Sequence, residues 1–184
     1  ENLEFVKSIL DCSLADVGRR YELNPQPEDF LRIEQRLDAS DEDILVGFHL
    51  GCRETARTIS AWRSWFGGRV EVPKIWPLER YIALAQALCR ANPRIRPVIT
   101  GSKNEQFLGK RFEKHLPRTI NLIGQTSLLE LAALMRHLAV FVSHDTGAAH
   151  VACATPVSMV GLFGPTNPKR SGPYPLQPRH TIIQ

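Results

Sequence analysis

The sequence has no long apolar run and no paired cysteines. No run approaches the ~20 apolar residues of a membrane-spanning helix, and the first residues, ENLEFVKSIL, lack the apolar centre of a signal peptide. The cysteines are far apart, without the spacing of a disulfide framework or a zinc site: Cys12, Cys52, Cys89 and Cys153. We therefore expect reduced thiols in a cytoplasmic protein.

Two well-known phosphate-binding patterns are also missing. There is no G-x-G-x-x-G after the first predicted strand and no G-x-x-x-x-G-K-[ST], so neither a dinucleotide-binding turn nor a P-loop is predicted. No nucleic-acid-binding module is recognisable, and nucleic acid is not expected as a partner. His150 and Cys153 could supply half of a metal site, but no second pair completes it, so we expect no metal.

The composition is that of a globular protein with an anionic partner. The 184 residues, 43% of them hydrophobic and 23% charged, are enough for one domain with a full core. The net charge is +4, and arginine, which supplies most of the positive charge, makes bidentate contacts with phosphate. A nucleotide, a phosphorylated sugar or an anionic membrane surface is favoured as partner.

Apolar strands alternate with helical segments from residue 44 onward. Strands are predicted at residues 44–50, 97–100, 119–123, 139–143, 157–163 and 180–183. This alternation predicts an α/β fold, a Rossmann-like parallel sheet with helices on both faces. Glycine and polar turns follow the strands, and they would meet at the carboxyl edge, where such sheets bind ligands.

Two segments do not follow this pattern. Residues 1–43 are interpreted as an interdomain linker with helical segments, one of them at residues 28–37, so that the domain itself would be 44–184. Residues 52–73 combine arginines and tryptophans with a Gly67-Gly68 break. They form either a surface insertion held by an aromatic cluster or a basic flap over an anionic ligand, and both interpretations stay open.

The densest functional pattern lies between Leu138 and Pro168. A buried strand ends in the turn His144-Asp145-Thr146-Gly147, and a helix of small residues follows, with Asp145 or Thr146 as its N-cap. Such a strand–turn–helix unit places a helix amino terminus at the carboxyl edge of the sheet, which favours phosphate.

The turn has two other interpretations. Asp145 could merely cap the helix and Gly147 merely permit the turn, with His150 a half-buried imidazole. Asp-Thr-Gly also occurs in aspartic proteases, whose chemistry needs two such carboxylates sharing a proton. Only one triplet is present here, in an alternating chain, which disfavours a protease.

Several motifs, in this order along the chain, resemble a known family. They are K-x-W-P (Lys74 to Pro77), T-G-S with Glu105, N-L-I-G-Q-T-S-L-x-E-L (Asn121 to Leu131), D-T-G-A-A-H (Asp145 to His150) and L-F-G-P-T-x-P (Leu162 to Pro168). This set resembles glycosyltransferase family 9, the ADP-heptose:lipopolysaccharide heptosyltransferases. Residues 44–184 look like the C-terminal, donor-binding half of such a GT-B enzyme.

The resemblance implies a role for each matching residue. Lys74 and the Asp145–Gly147 turn would contact the donor's diphosphate, with His150 beside it, Glu105 would hold the ribose hydroxyls, and Thr126 would lie along the adenine. The implied donor-binding residues are Lys74, Glu105, Thr126, Asp145, Thr146, Gly147 and His150. No catalytic residue is expected in this chain, and no cofactor is implied beyond the donor, ADP-heptose or a similar nucleotide sugar.

The family's reaction is an inverting transfer of heptose from ADP-heptose to the lipopolysaccharide inner core. Its general base belongs to an N-terminal acceptor domain, for which residues 1–43 are too short, so we expect a fragment, truncated after Gln184 as well, that binds donor without transferring sugar. The acceptor would be a partner only through that domain, in the cytoplasm at the inner membrane. Two alternatives stay open: a non-catalytic nucleotide or sugar-phosphate binding module, and a GT-B transferase using another nucleotide sugar.

Overall fold

The structure, a computed structural model, describes residues 22–52, 75–173 and 176–184. Parallel strands form one sheet in the spatial order β3-β2-β1-β4-β5-β6. They are β1 (Ile44–His49), β2 (Ile95–Thr100), β3 (Ile120–Asn121), β4 (Val140–His144), β5 (Ser158–Leu162) and β6 (His180–Ile183). The predicted α/β fold is confirmed, and each predicted strand has its counterpart.

The helices occupy the segments between the strands. They are α1 (Pro27–Arg36), α2 (Leu78–Ala91), α3 (Gln106–Glu113), α4 (Leu128–Leu134), α5 (Gly147–Cys153) and α6 (Pro168–Ser171), with 3₁₀ turns at Lys103–Glu105 and Met135–His137. The apolar spacing of residues 104–116 predicts one helix, and the structure has a 3₁₀ turn followed by a shorter α-helix there. Among the described residues, no helix combines the length and the apolar character needed to cross a bilayer.

Buried side chains form a core on each face of the sheet. Neighbouring residues of a strand point to opposite faces, so Leu45 and Phe141 pack with α1, α4 and α5, whereas Phe48 and Val142 pack with α2 and α3. The two-sided burial explains why the central strands are almost continuously apolar. It also confirms the prediction of helices on both faces.

Helix α1 belongs to the core although it lies in the segment interpreted as a linker. Ile33 is 0% exposed and, with Leu37, joins the cluster that contains α4. An ion pair of 3.2 Å joins Arg36 to Glu130 on α4. The predicted helix is confirmed, while the domain boundary at residue 43 stays a prediction.

Candidate functional site

The topology defines one crevice at the carboxyl edge of the sheet. The strand order turns from descending to ascending between β1 and β4, which are hydrogen-bonded neighbours. Connections leave two such strands in opposite directions, and ligands of open α/β sheets bind in the opening. The residues that follow these strands are Leu50-Gly51 after β1 and Asp145 after β4.

Glu105 lies beside the end of β1 and is fixed there. It is 2% exposed, and its Oε2 accepts a hydrogen bond of 2.6 Å from the backbone N–H of Ser102. A Cβ placed on Gly51 would lie 1.9 Å from the Glu105 carboxylate, so the Gly51 backbone packs directly against it. Burial raises the pKa of Glu105, and the hydrogen bonds from Ser102 oppose this rise.

The turns after β2 and β3 are joined by glycines. The N–H of Gly124 donates to the carbonyl of Gly101 over 2.9 Å. Gly124 has φ 72°, and a Cβ there would lie 2.8 Å from Cα of Lys103. Only glycine adopts this conformation at low cost and permits so close an approach. The half-buried Thr126 follows in the same turn, so its loop lies next to the one that contains Glu105.

The turn after β4 is held by a hydrogen bond between two side chains, and not by a hydrogen bond that caps the following helix. Thr146 occupies the N-cap position of α5 but makes no capping hydrogen bond through its side chain. Its hydroxyl instead lies 3.0 Å from Oγ of Ser143. Thr146 is thus the N-cap in position only, and the side chain that the sequence assigned to capping binds the preceding strand. Asp145 and His150 are partly exposed. In the part of the chain that the structure describes, no atom beyond the neighbouring residues and the local backbone of α5 lies within 4 Å of where a Cβ on Gly147 would be.

Below these turns is a polar layer that the sequence did not predict. His49 Nδ1 lies 3.0 Å from Oγ1 of Thr100, its register partner on β2. On the other face, the hydroxyl of Tyr81 lies 2.9 Å from Nδ1 of His144. Burial, and to a lesser degree the positive charge that His144 could take up, lowers the pKa of His49 from 6.5 to about 3. Two histidines that each end a strand were the available signal.

The structure brings some of the predicted residues to one edge. Glu105 follows β2 and Asp145 follows β4, and these strands flank β1 in a parallel sheet, so both residues lie at its carboxyl edge. Thr126 lies beside the Glu105 loop, and Thr146, Gly147 and His150 continue from Asp145. Lys74 and most of the insertion 52–73 lie outside the described residues. Within the described ranges, no cluster of His, Cys, Asp and Glu could hold a metal ion.

Fold and crevice define a Rossmann-like α/β domain with its candidate ligand site at the switch point of the sheet. The family is shown by the sequence itself: residues 68–184 match the model of "Glycosyltransferase family 9 (heptosyltransferase)". The chain belongs to glycosyltransferase family 9, as the motifs predicted.

Relatives and solved structures agree with this family. Lipooligosaccharide heptosyltransferase 2 of Haemophilus ducreyi is 31% identical over 153 residues, which cover 79% of this chain and 39% of that protein. E. coli ADP-heptose LPS heptosyltransferase II superposes with a TM-score of 0.68 at 23% identity, over 88% of this chain and 44% of that one. E. coli heptosyltransferase WaaC with ADP superposes with a TM-score of 0.62 at 19% sequence identity, over 97% of this chain and 47% of that one. The chain spans less than half the length of each of these three proteins. The predicted GT-B fold class is confirmed.

Proposed function

We propose that this chain is the donor-binding part of an inverting heptosyltransferase that moves heptose from ADP-heptose to the lipopolysaccharide inner core. Membership of family 9 supports the reaction class. The relatives that it matches are named lipooligosaccharide and lipopolysaccharide heptosyltransferases. The choice of ADP is supported by the WaaC structure, a complex with ADP that shares this fold.

The observation that supports the proposal most directly is the fixed carboxylate of Glu105. A carboxylate at the end of a neighbouring strand accepts hydrogen bonds from both hydroxyls of a ribose in many Rossmann-like sites. Glu105 meets the requirement for such a role, because the Ser102 N–H and the Gly51 backbone hold it in one place. A preorganised acceptor costs little ordering entropy when the ligand binds.

In the proposed mechanism, two domains that face each other across a cleft have different roles. This chain would hold the nucleoside through Glu105 and Thr126 and the diphosphate through Lys74 and the turn at Asp145. Stabilising the negative charge that develops on the departing diphosphate accelerates transfer, since such electrostatic effects are commonly the largest in catalysis. The base that deprotonates the acceptor hydroxyl would come from the N-terminal acceptor domain, on the opposite side of the reacting bond. We place the enzyme in the cytoplasm, at the inner face of the inner membrane.

ADP is expected to raise the melting temperature of the chain more than UDP or GDP at equal concentration. A ligand at 100 times its Kd stabilises the native state by about 2.7 kcal/mol, which for a domain of this size raises Tm by roughly 5–10 °C. Differential scanning fluorimetry with the three diphosphates, and with inorganic pyrophosphate as control, measures this. Equal shifts with all of them would contradict an adenosine-specific site.

Replacing Gly147 with alanine is expected to weaken ADP without destabilising the fold. Apart from the neighbouring residues and the backbone of α5, no atom of the described residues lies within 4 Å of the new methyl group, and φ at this position is not positive. Stability should therefore change by less than about 0.5 kcal/mol. A diphosphate seated against the turn would meet the methyl group, and overpacking of about 1–2 kcal/mol corresponds to a roughly 5- to 30-fold higher Kd.

Isothermal titration with ADP and with adenosine measures the change in affinity, and urea unfolding measures stability. Adenosine, which has no diphosphate, should bind both proteins alike. An ADP affinity unchanged in Gly147→Ala would contradict a diphosphate at this turn.

A further inference from the structure

Tyr81 is a buried tyrosine that connects two segments far apart in sequence. It lies in the first turn of α2, is 0% exposed, and its hydroxyl is 2.9 Å from Nδ1 of His144, which is 1% exposed. His144 is the last residue of β4 and is bonded directly to Asp145. The hydrogen bond therefore joins the start of α2 to the residue from which the Asp145–Gly147 turn departs.

The ring and the hydroxyl of Tyr81 have separate surroundings. The ring packs edge-on against Trp76 at 4.7 Å between centroids and against Phe48 at 6.2 Å. A phenylalanine would preserve both contacts, so core packing alone does not require the hydroxyl. A hydroxyl buried without a partner is unfavourable, and here its partner is the His144 side chain. Burial also raises the pKa of Tyr81 far above neutrality, so the phenol stays protonated.

The Asp145–Gly147 turn is thus held from both faces of the sheet. On one face Ser143 Oγ lies 3.0 Å from Oγ1 of Thr146. On the other face His144 is held by Tyr81. Neighbouring residues of a strand point to opposite faces, so the two contacts restrain different directions of movement. Of the two contacts, the one between Tyr81 and His144 joins the turn to helix α2.

We propose that Tyr81 is a positioning residue for the proposed diphosphate site: through His144 it fixes the Asp145–Gly147 turn relative to helix α2. This inference rests on the proposed function for the identity of the ligand, but the positioning itself can be measured without ligand. It assigns a ligand-related role to a residue that cannot touch the ligand, because Tyr81 is fully buried.

The test compares Tyr81→Phe with the wild-type chain. Losing one typical hydrogen bond at the turn should weaken ADP about five- to tenfold in isothermal titration, while adenosine binds as before. Amide hydrogen exchange at Ala149, whose N–H donates to the Thr146 carbonyl over 3.1 Å, should become faster when it is measured by NMR without ligand. His144→Phe removes the same bond from the other side, so the effects of the two substitutions on ADP affinity should not add in the double variant.

Thr155→Val is the matched control. It removes another buried hydroxyl hydrogen bond, 2.8 Å from Oγ1 to the carbonyl of Ala152, at the opposite end of α5. It should lower the urea midpoint as Tyr81→Phe does and leave both ADP affinity and exchange at Ala149 unchanged. Wild-type exchange at Ala149 in Tyr81→Phe would overturn the inference, as would wild-type ADP affinity. If the wild-type chain bound no ADP, the proposed function would fail, and the exchange data would still decide whether Tyr81 positions the turn.

Discussion

Replacing Gly51 with alanine is expected to weaken ADP at least about tenfold and to destabilise the fold by roughly 1–3 kcal/mol. The new Cβ would lie 1.9 Å from the Glu105 carboxylate, which is too close for atoms that are not bonded to each other. The carboxylate is buried and bonded to the Ser102 N–H at 2.6 Å, so it cannot turn away without losing that bond. The substitution displaces the carboxylate that we propose binds the ribose, while Glu105 itself stays a glutamate.

The measurements are the Kd values of ADP and adenosine and the free energy of unfolding in urea. Both ligands contain the ribose, so both should weaken in Gly51→Ala, unlike in Gly147→Ala. In a Glu105→Ala background the clash disappears, and the same Gly51→Ala change should cost little further stability; this double-mutant cycle isolates the contact. Unchanged affinity for both ligands in Gly51→Ala would rule out Glu105 as the ribose ligand.

Local signals in the sequence were sufficient for most elements. The Ser127-x-x-Glu130 pattern is typical of a capping box. Both of its bonds are present: Ser127 Oγ accepts from the Glu130 N–H at 3.1 Å, and the Ser127 N–H donates to Glu130 at 2.7 Å. Strand β3 is shorter than predicted, Ile120–Asn121 instead of 119–123. The Asn121 side chain accepts from the N–H of Ile123 at 3.1 Å, while the Leu122 N–H still donates to the Ile99 carbonyl of β2 at 2.9 Å.

The sequence of helix α1 contains an apolar pattern that indicates its packing. Phe30, Ile33 and Leu37 follow the spacing of three and four residues that marks one apolar helix face. That face packs into the same core as α4. The apolar stripe thus indicates where the helix packs, and the interpretation of residues 1–43 as an interdomain linker stays a prediction.

The side-chain contacts of the polar layer below the site could not be predicted from the sequence. Tyr81 and His144 are 63 residues apart, and His49 and Thr100 are 51 apart. Each contact depends on the register between neighbouring strands or on the rotation of a helix over the sheet, which a single sequence does not reveal. Motif spacing predicts the turns at the carboxyl edge, whereas the residues that support those turns are brought together only by the fold.

His49 makes the stability of the fold depend on pH in a direction that can be worked out. Its pKa is about 3 in the folded chain, against 6.5 for an unperturbed histidine. Between these values the unfolded chain binds a proton that the folded chain does not. Stability therefore rises with pH in this window and is lost as pH falls below 6.5. From pH 7 to pH 5 the loss from this one group is about 2 kcal/mol.

A His49→Asn variant is expected to lack this part of the pH dependence. The asparagine amide can occupy the place of Nδ1 and keep a hydrogen bond to Oγ1 of Thr100, now 3.0 Å from His49. Urea unfolding at pH 7 and at pH 5 gives the loss for each protein, and the wild-type loss should exceed that of the variant by about 2 kcal/mol. The lowered pKa of His180 and the raised pKa of Glu105 also make stability depend on pH, but they are shared by both proteins and cancel in the comparison. Equal losses would mean that His49 is protonated in the folded chain, and that the layer below the crevice is more hydrated than its burial indicates.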